Sequence, residues 1–239
     1  MNLEEERLFK EYTTYKGFFM KYEVVITSYS KINNKGNEDI INTPNNTYST
    51  YNNHKEYNKY NRAPIGVYFK NKGDNLLVRA HLYEGSHTYN ILKKEDYFVI
   101  NICSPYIIAQ SVYDDNGNYK LIKYNNHILP YLSEAYMIHI IKIVNRKIIK
   151  SKNEYGYSDI MIIEGASLLE KNIMEPPVIP YNRADGLIVE MAVLYSRLSI
   201  VDSSQKDKIK REMEHYFKII KRVGDKNHIK LGKKFLSGL

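Results

Sequence analysis

Thirteen residues, Arg79 to Ile91 (Arg-Ala-His-Leu-Tyr-Glu-Gly-Ser-His-Thr-Tyr-Asn-Ile), gather more potential chemistry than any other stretch of the chain. The segment Leu76–Leu82 has the bulk and near-alternation of a strand, with Arg79 and His81 on one face. Glu84-Gly85 breaks it. Ser86 then suits a helix N-cap, and Thr88, Ile91 and Leu92 suit the opening turns of a short helix. A strand that carries Arg and runs through Gly into a Ser/Thr-rich helix start collects guanidinium, hydroxyls and unpaired backbone N–H groups, the donors that hold a phosphate-sized anion. The same residues also fit a plainer reading, a capped helix after a strand with Arg79 in a surface ion pair.

Other side-chain chemistry is sparse. The seven histidines (His54, His81, His87, His127, His139, His215, His228) show no metal-ligand spacing. His81 and His87 bracket a turn and are read as a pocket-lining pair rather than as metal ligands; His139 reads as a satisfied sheet residue. The single cysteine, Cys103, excludes an internal disulfide and a cysteine-based zinc site, and at the end of a strand it reads as a buried thiol. No Gly-x-Ser-x-Gly, P-loop or dinucleotide fingerprint occurs. A phosphate pocket without acid–base machinery points to a cofactor that brings its own chemistry.

The elements that must position this stretch are mostly strands. Tyr22–Ser30 is β-branched and aromatic. Residues 31–62 hold ten Asn and almost no aliphatic residues, a composition that cannot build a core and reads as a long insertion. Ala63–Lys70 and Leu76–Leu82, joined by a turn at Asn71–Asn75, form an antiparallel hairpin, with Pro64 near the strand start and Gly66 leaving room for a flat group or another backbone. Tyr97–Cys103, Ala135–Val144 and Asp159–Gly165 complete six strands, while Asn145–Tyr157 reads as a basic turn. Six antiparallel strands most economically close into a barrel. After Pro176-Pro177 and Pro180 the pattern turns helical, with Leu187, Met191, Leu194 and Leu198 on one stripe, widened by Ile188, Ala192 and Tyr195, and Ile209, Met213, Phe217 and Ile220 on a second, a helical hairpin ended by Gly224. The division is a barrel domain over 1–175, with 31–62 inserted, and a helical subdomain over 176–239.

The formal charge of +8 is concentrated at the C-terminus, where residues 206–239 carry eleven Lys/Arg against four Asp/Glu. A solvated basic helix face is the ordinary explanation, and nucleic-acid binding through these helices is a secondary reading. No stretch reaches the roughly 18 apolar residues of a membrane span, and the Glu-rich first ten residues are unlike a signal peptide; the expected location is the cytoplasm.

Three separated blocks carry a resemblance. Asn61-Arg62-Ala63-Pro64-Ile65-Gly66-Val67, Leu82-Tyr83-Glu84-Gly85-Ser86-His87-Thr88-Tyr89-Asn90, and Asn182-Arg183-Ala184-Asp185-Gly186 through Glu190-Met191-Ala192 to Ser196-Arg197-Leu198 resemble, in order, the hallmark blocks of an archaeal family of unknown function, domain family 447, in the FMN-binding split-barrel superfamily. The resemblance implies a mainly β fold, a six-stranded antiparallel Greek-key split barrel with a C-terminal helical hairpin, and a homodimer with FMN near the subunit interface. It implies that Ser86, His87 and Thr88 hold the FMN phosphate with Arg79 as an added cation. It places Arg62, Ala63, Pro64, Ile65 and Gly66 along the flavin ring, and the segment Asn101 to Ser104, with Cys103, along its other edge. Arg183 belongs to the third block, but Asn182-Arg183-Ala184-Asp185-Gly186 departs from the expected Asn-Arg-Gly form, and Arg183 has no assigned role. The expected activity is that of a flavin-reductase-like oxidoreductase with a nicotinamide donor; the alternatives are a non-catalytic FMN carrier or sensor and a nucleic-acid-associated protein.

Overall fold

The computed structural model describes residues 20–30, 60–72, 75–114, 116–153, 156–177 and 182–238 of the 239-residue chain. The N-terminal arm and the Asn-rich residues 31–59 lie outside the described residues.

Six strands, β1 (Met20–Tyr29), β2 (Tyr60–Lys72), β3 (Asn75–Tyr83), β4 (Tyr97–Ile102), β7 (Met137–Asn153) and β8 (Gly156–Asn172), close an antiparallel barrel in the order β1-β2-β3-β8-β7-β4. Alternation puts every second side chain inside: Val24 and Ile26, Val67, Val78, Ala80 and Leu82, Phe98 and Ile100, Ile141 and Ile143, Met161 and Ile163 form one core. The short helix α1 (His87–Leu92) follows β3 and adds Tyr89 and Leu92 to that core.

Strand β2 begins at Tyr60, so Tyr60, Asn61 and Arg62 belong to the barrel rather than to the expected insertion. Of residues 145–157, expected as a turn, those described (145–153 and 156–157) instead extend β7 and β8, which stay paired from Asn145↔Glu164 out to Asn153↔Gly156. β3 flanks β8 as far as Ile160, and only the outer part, from Lys150↔Asp159 to Asn153↔Gly156, is a two-stranded arm, which needs no apolar face and so has the pattern of a polar loop. A hairpin absent from the expected elements, β5 (Tyr119–Tyr124) and β6 (His127–Leu132), turns at Asn125, whose φ of 50° is the left-handed conformation that Asn tolerates. It buries Leu129, Tyr131 and Leu132 against Val25, Val99, Ile138 and Ile140, a second core outside the barrel.

Helix α2 (Pro105–Tyr113) links the barrel to the C-terminal helices α3 (Arg183–Arg197), α4 (Ser203–Val223) and α5 (Lys226–Ser237). The expected pair is present, and a third helix follows it. Gly224 ends α4, but Asp225 at once caps α5 by accepting from the N–H groups of Asn227 and His228 at 2.8 and 2.9 Å. The buried stripe of α3 runs through Ile188, Met191, Ala192 and Leu194, all on the expected stripe, and adds Ala184; Leu187, Tyr195 and Leu198 pack at its edges, partly buried. Among the described residues, no helix is long and apolar enough to cross a membrane.

Candidate functional site

The site begins where two barrel strands part. β2 pairs with β3 only from Val67↔Ala80 to Lys72↔Asn75, but β2 continues beside β1 from Gly66 back to Tyr60, and β3 continues beside β8 to Tyr83↔Ile160. Residues 60–66 therefore have an edge that β3 does not cover, where Pro64 is tolerated. The chain leaving β3 passes Gly85, at φ 88°, and enters α1, whose second residue, Thr88, returns to β2. There the Asn61 Nδ2 donates to Thr88 Oγ1 at 2.9 Å.

A cleft of about 360 Å³ occupies this split, the lower end of the range for small-ligand sites. Asn61, Arg62, Ala63 and Pro64 of β2 line one side, Ser86, His87 and Thr88 another, and Glu23 of β1 its rim. The opposite wall is helical: Ile108, Ser111 and Val112 from α2, and Val189, Ala192, Val193 and Ser196 from α3.

Arg62 dominates the electrostatics. Its side chain is 3% exposed, its Nε donates to the Asp114 carbonyl at 2.9 Å, and its buried Nη2 has no hydrogen-bond partner among the described residues. A buried guanidinium with an unused donor is costly unless an anion completes it. Thr88 is 2% exposed, and because Asn61 donates to its oxygen, its hydroxyl hydrogen remains for another acceptor. Glu23, the only carboxylate lining the cleft among the described residues, sits 3.4 Å from the Lys21 ammonium.

Six of the expected residues thus meet in one cleft: Arg62, Ala63, Pro64, Ser86, His87 and Thr88. The hydroxyl of Ser86 is spent locally, donating to the Tyr83 carbonyl at 2.9 Å and accepting from the Tyr89 N–H at 3.2 Å. The others stand elsewhere. Arg79 is not at the cleft; its guanidinium is paired with Glu164 on β8, with Nε 2.8 Å from Oε1 and Nη2 on the same oxygen, so the plainer ion-pair reading holds for it and the cation at the cleft is Arg62. Ile65 and Gly66 continue β2 past the lining residues, and the space a Cβ would take at Gly66 is filled by the Lys21 side chain, 1.7 Å from the ideal Cβ position.

Asn101 is fully buried and structural: it donates to the Val25 carbonyl and Thr27 Oγ1 at 3.0 Å and accepts from the Leu132 N–H at 2.8 Å, locking the seam between β1, β4 and the β5–β6 hairpin. Cys103 is buried in the outer core, where desolvation and then the Glu134 carboxylate push its thiol up to about 12. His87 lines the cleft but His81 does not; His81 stacks on Tyr68 with ring centroids 5.7 Å apart, and burial first, then Arg79 and Lys21, hold it below the ordinary histidine value.

The sequence reading missed the helical wall. Its signal lay in the third block, since Ala192 and Ser196 both line the cleft, while Arg183 is exposed at the start of α3. The rest of that block fastens the helices. Asn182 caps α3 and donates to the Val223 carbonyl at 2.9 Å, and Asp185 lies 3.2 Å from His228 Nε2.

A closed antiparallel barrel whose strands part over a helix-walled cleft is the split-barrel fold found among FMN-binding proteins. The chain belongs to the DUF447 family of proteins of unknown function: the model of the family's N-terminal domain matches residues 53–165 and that of its C-terminal domain residues 182–235. It is 40% identical over 183 residues to the uncharacterized protein MJ1453 of Methanocaldococcus jannaschii, spanning 75% of this chain and 91% of that one. The crystal structure of the FMN-bound DUF447 protein MM1853 from Methanosarcina mazei shares the fold, with 18% identity, a TM-score of 0.63, and coverage of 92% of this chain and 95% of the other.

Proposed function

We propose that the cleft binds FMN with its phosphate against Arg62, His87 and Thr88, and that the protein is a cytoplasmic, homodimeric oxidoreductase of the flavin-reductase type that takes electrons from a reduced nicotinamide. The observations that carry this reading are that Arg62, whose buried Nη2 has no hydrogen-bond partner among the described residues, and Thr88, whose hydroxyl hydrogen is uncommitted, both line the cleft. A dianion there receives a full positive charge and charge-assisted hydrogen bonds. The FMN-bound relative of the same family and fold supports the choice of anion.

When bound, the flavin supplies hydride and electron transfer, chemistry that the side chains of the cleft do not provide themselves. The chain's own part is to hold and shield. Arg62 would offset the charge of the phosphate, and the Asn61–Thr88 bond, by occupying the threonine oxygen, would leave its hydroxyl hydrogen to donate. The apolar residues Ile108, Val112, Val189, Ala192 and Val193 keep water from that end of the cleft. Lys21 offsets the adjoining carboxylate, Glu23.

The visible absorption spectrum of the purified protein, followed by titration with FMN and then by steady-state oxidation of NADH and NADPH, tests the reading in steps. A colourless protein with no spectral change or thermal stabilisation in excess FMN would overturn it. Flavin binding without nicotinamide oxidation would leave a carrier in place of the reductase.

A further inference from the structure

We infer that Arg146, remote from the cleft on β7, is the positioning residue that sets α1 and so presents Thr88 and His87 to the ligand. The inference rests on the phosphate reading above and names the residue that makes that site specific.

Helix α1 has only six residues, of which Tyr89 and Leu92 are buried in the barrel core. Its N-terminal end is tied to β2 by the single Asn61–Thr88 bond. Its C-terminal end is tied by Arg146: Nε donates to the Leu92 carbonyl at 2.8 Å, and Nη2 donates to the Glu95 carbonyl and to Asp96 Oδ1, each at 2.7 Å. The carbonyls of Tyr89 and Ile91 accept from the N–H groups of residues 93–95. Those of Leu92 and Glu95 go to the guanidinium. A planar fork that reaches two carbonyls and a carboxylate fixes orientation as well as distance, which a lysine cannot reproduce.

Arg146 points there because β7 is irregular just before it. The β7–β8 register slips between Ile143 and Asn145, leaving Val144 unpaired. Gly165 on β8 admits the irregularity, since a Cβ there would lie 2.6 Å from Ile141 Cγ2 and 2.7 Å from the Lys142 carbonyl oxygen. Bulges of this kind redirect the side chains that follow them. The same guanidinium is 27% exposed and contributes nothing to the barrel core, so its geometry serves the helix end.

The test compares Arg146→Met and Arg146→Lys with the wild-type chain, using FMN and riboflavin, which lacks the phosphate, as probes. The expected result is about tenfold weaker FMN binding in R146M, less than twofold change for riboflavin, and intermediate FMN binding in R146K. Hydrogen exchange of the amides of residues 87–92 should quicken in R146M while the barrel strands keep their protection. Unchanged FMN affinity, or equal loss for both flavins, would overturn the inference. The exchange measurement needs no ligand, so unaltered protection of α1 overturns it even if the chain proves not to bind FMN, a failure that would show in the wild-type titration instead.

Discussion

Asn61 and Thr88, 27 positions apart in sequence, are joined by a 2.9 Å hydrogen bond across the split between β2 and β3. Both are buried, at 9% and 2% exposure, and the bond decides which way the threonine hydroxyl hydrogen is free to point. Replacing Thr88 by Val keeps the shape but removes the hydroxyl. FMN should then bind about tenfold more weakly, and the stranded Asn61 amide should cost about 1–3 kcal/mol of stability. Thr88→Ser should restore most of both. Flavin fluorescence titration and urea unfolding measure the two effects, and wild-type affinity in T88V would remove the hydroxyl from the ligand set.

Arg62 makes a prediction of opposite sign for stability and binding. Its Nη2 is buried without a partner, so the ligand-free fold carries an incompletely solvated cation. Arg62→Met should leave the ligand-free protein as stable as the wild type or more so, while abolishing its preference for FMN over riboflavin. Thermal midpoints with and without FMN give both quantities in one experiment. A large loss of stability in the ligand-free variant would show that the bond to the Asp114 carbonyl, and not an absent anion, is what Arg62 is for.

The barrel was legible because each of its strands alternates or runs apolar within the sequence, and Ser86 announces α1. Long-range geometry was not. Nothing local says that β3 leaves β2 at Val67, which opens the edge where Arg62 lines the cleft, or that β8 sets Glu164 opposite Arg79, 17 residues later. Both are arginines on neighbouring strands, and only pairing distinguishes them. Asn101 misled for a related reason. The resemblance put it along the flavin, but its amide is spent on partners brought to it from two other segments, the Val25 carbonyl and Thr27 of β1 and the Leu132 N–H of β6. The helical wall was hidden because Ala192 belongs both to the core of the helices and to the cleft.

Cys103 offers a check on the outer core. Burial and Glu134 hold the thiol at about 12, so the nucleophilic thiolate is scarce near neutral pH. Iodoacetamide at about pH 8 should leave the folded protein unmodified and alkylate it only on unfolding, with or without FMN. Rapid alkylation of the folded chain, or protection conferred by FMN, would instead put Cys103 at the flavin.

His139 sets a pH dependence whose direction follows from its surroundings. It is 4% exposed, with Nδ1 3.2 Å from Ser167 Oγ, and burial pulls its pKa below the ordinary 6.5; the Glu170 carboxylate at 3.8 Å acts the other way but is itself 59% exposed. The unfolded chain therefore takes up this proton near 6.5 while the folded chain resists it until lower pH. Across that window the unfolded state binds more protons, so stability present above the unfolded value is lost as pH falls toward the folded one. His81, lowered mainly by burial as well, adds to the same slope, whereas Asp225, held below 3.8 first by the His228 backbone N–H, acts only in a more acid window. Thermal midpoints from about pH 7 to pH 5 should fall for the wild type and fall less for His139→Gln, the difference isolating this residue from the other titrating groups. A wild-type curve that falls no more steeply than that of H139Q would mean that Glu170 holds the imidazolium in place and that burial is the weaker effect.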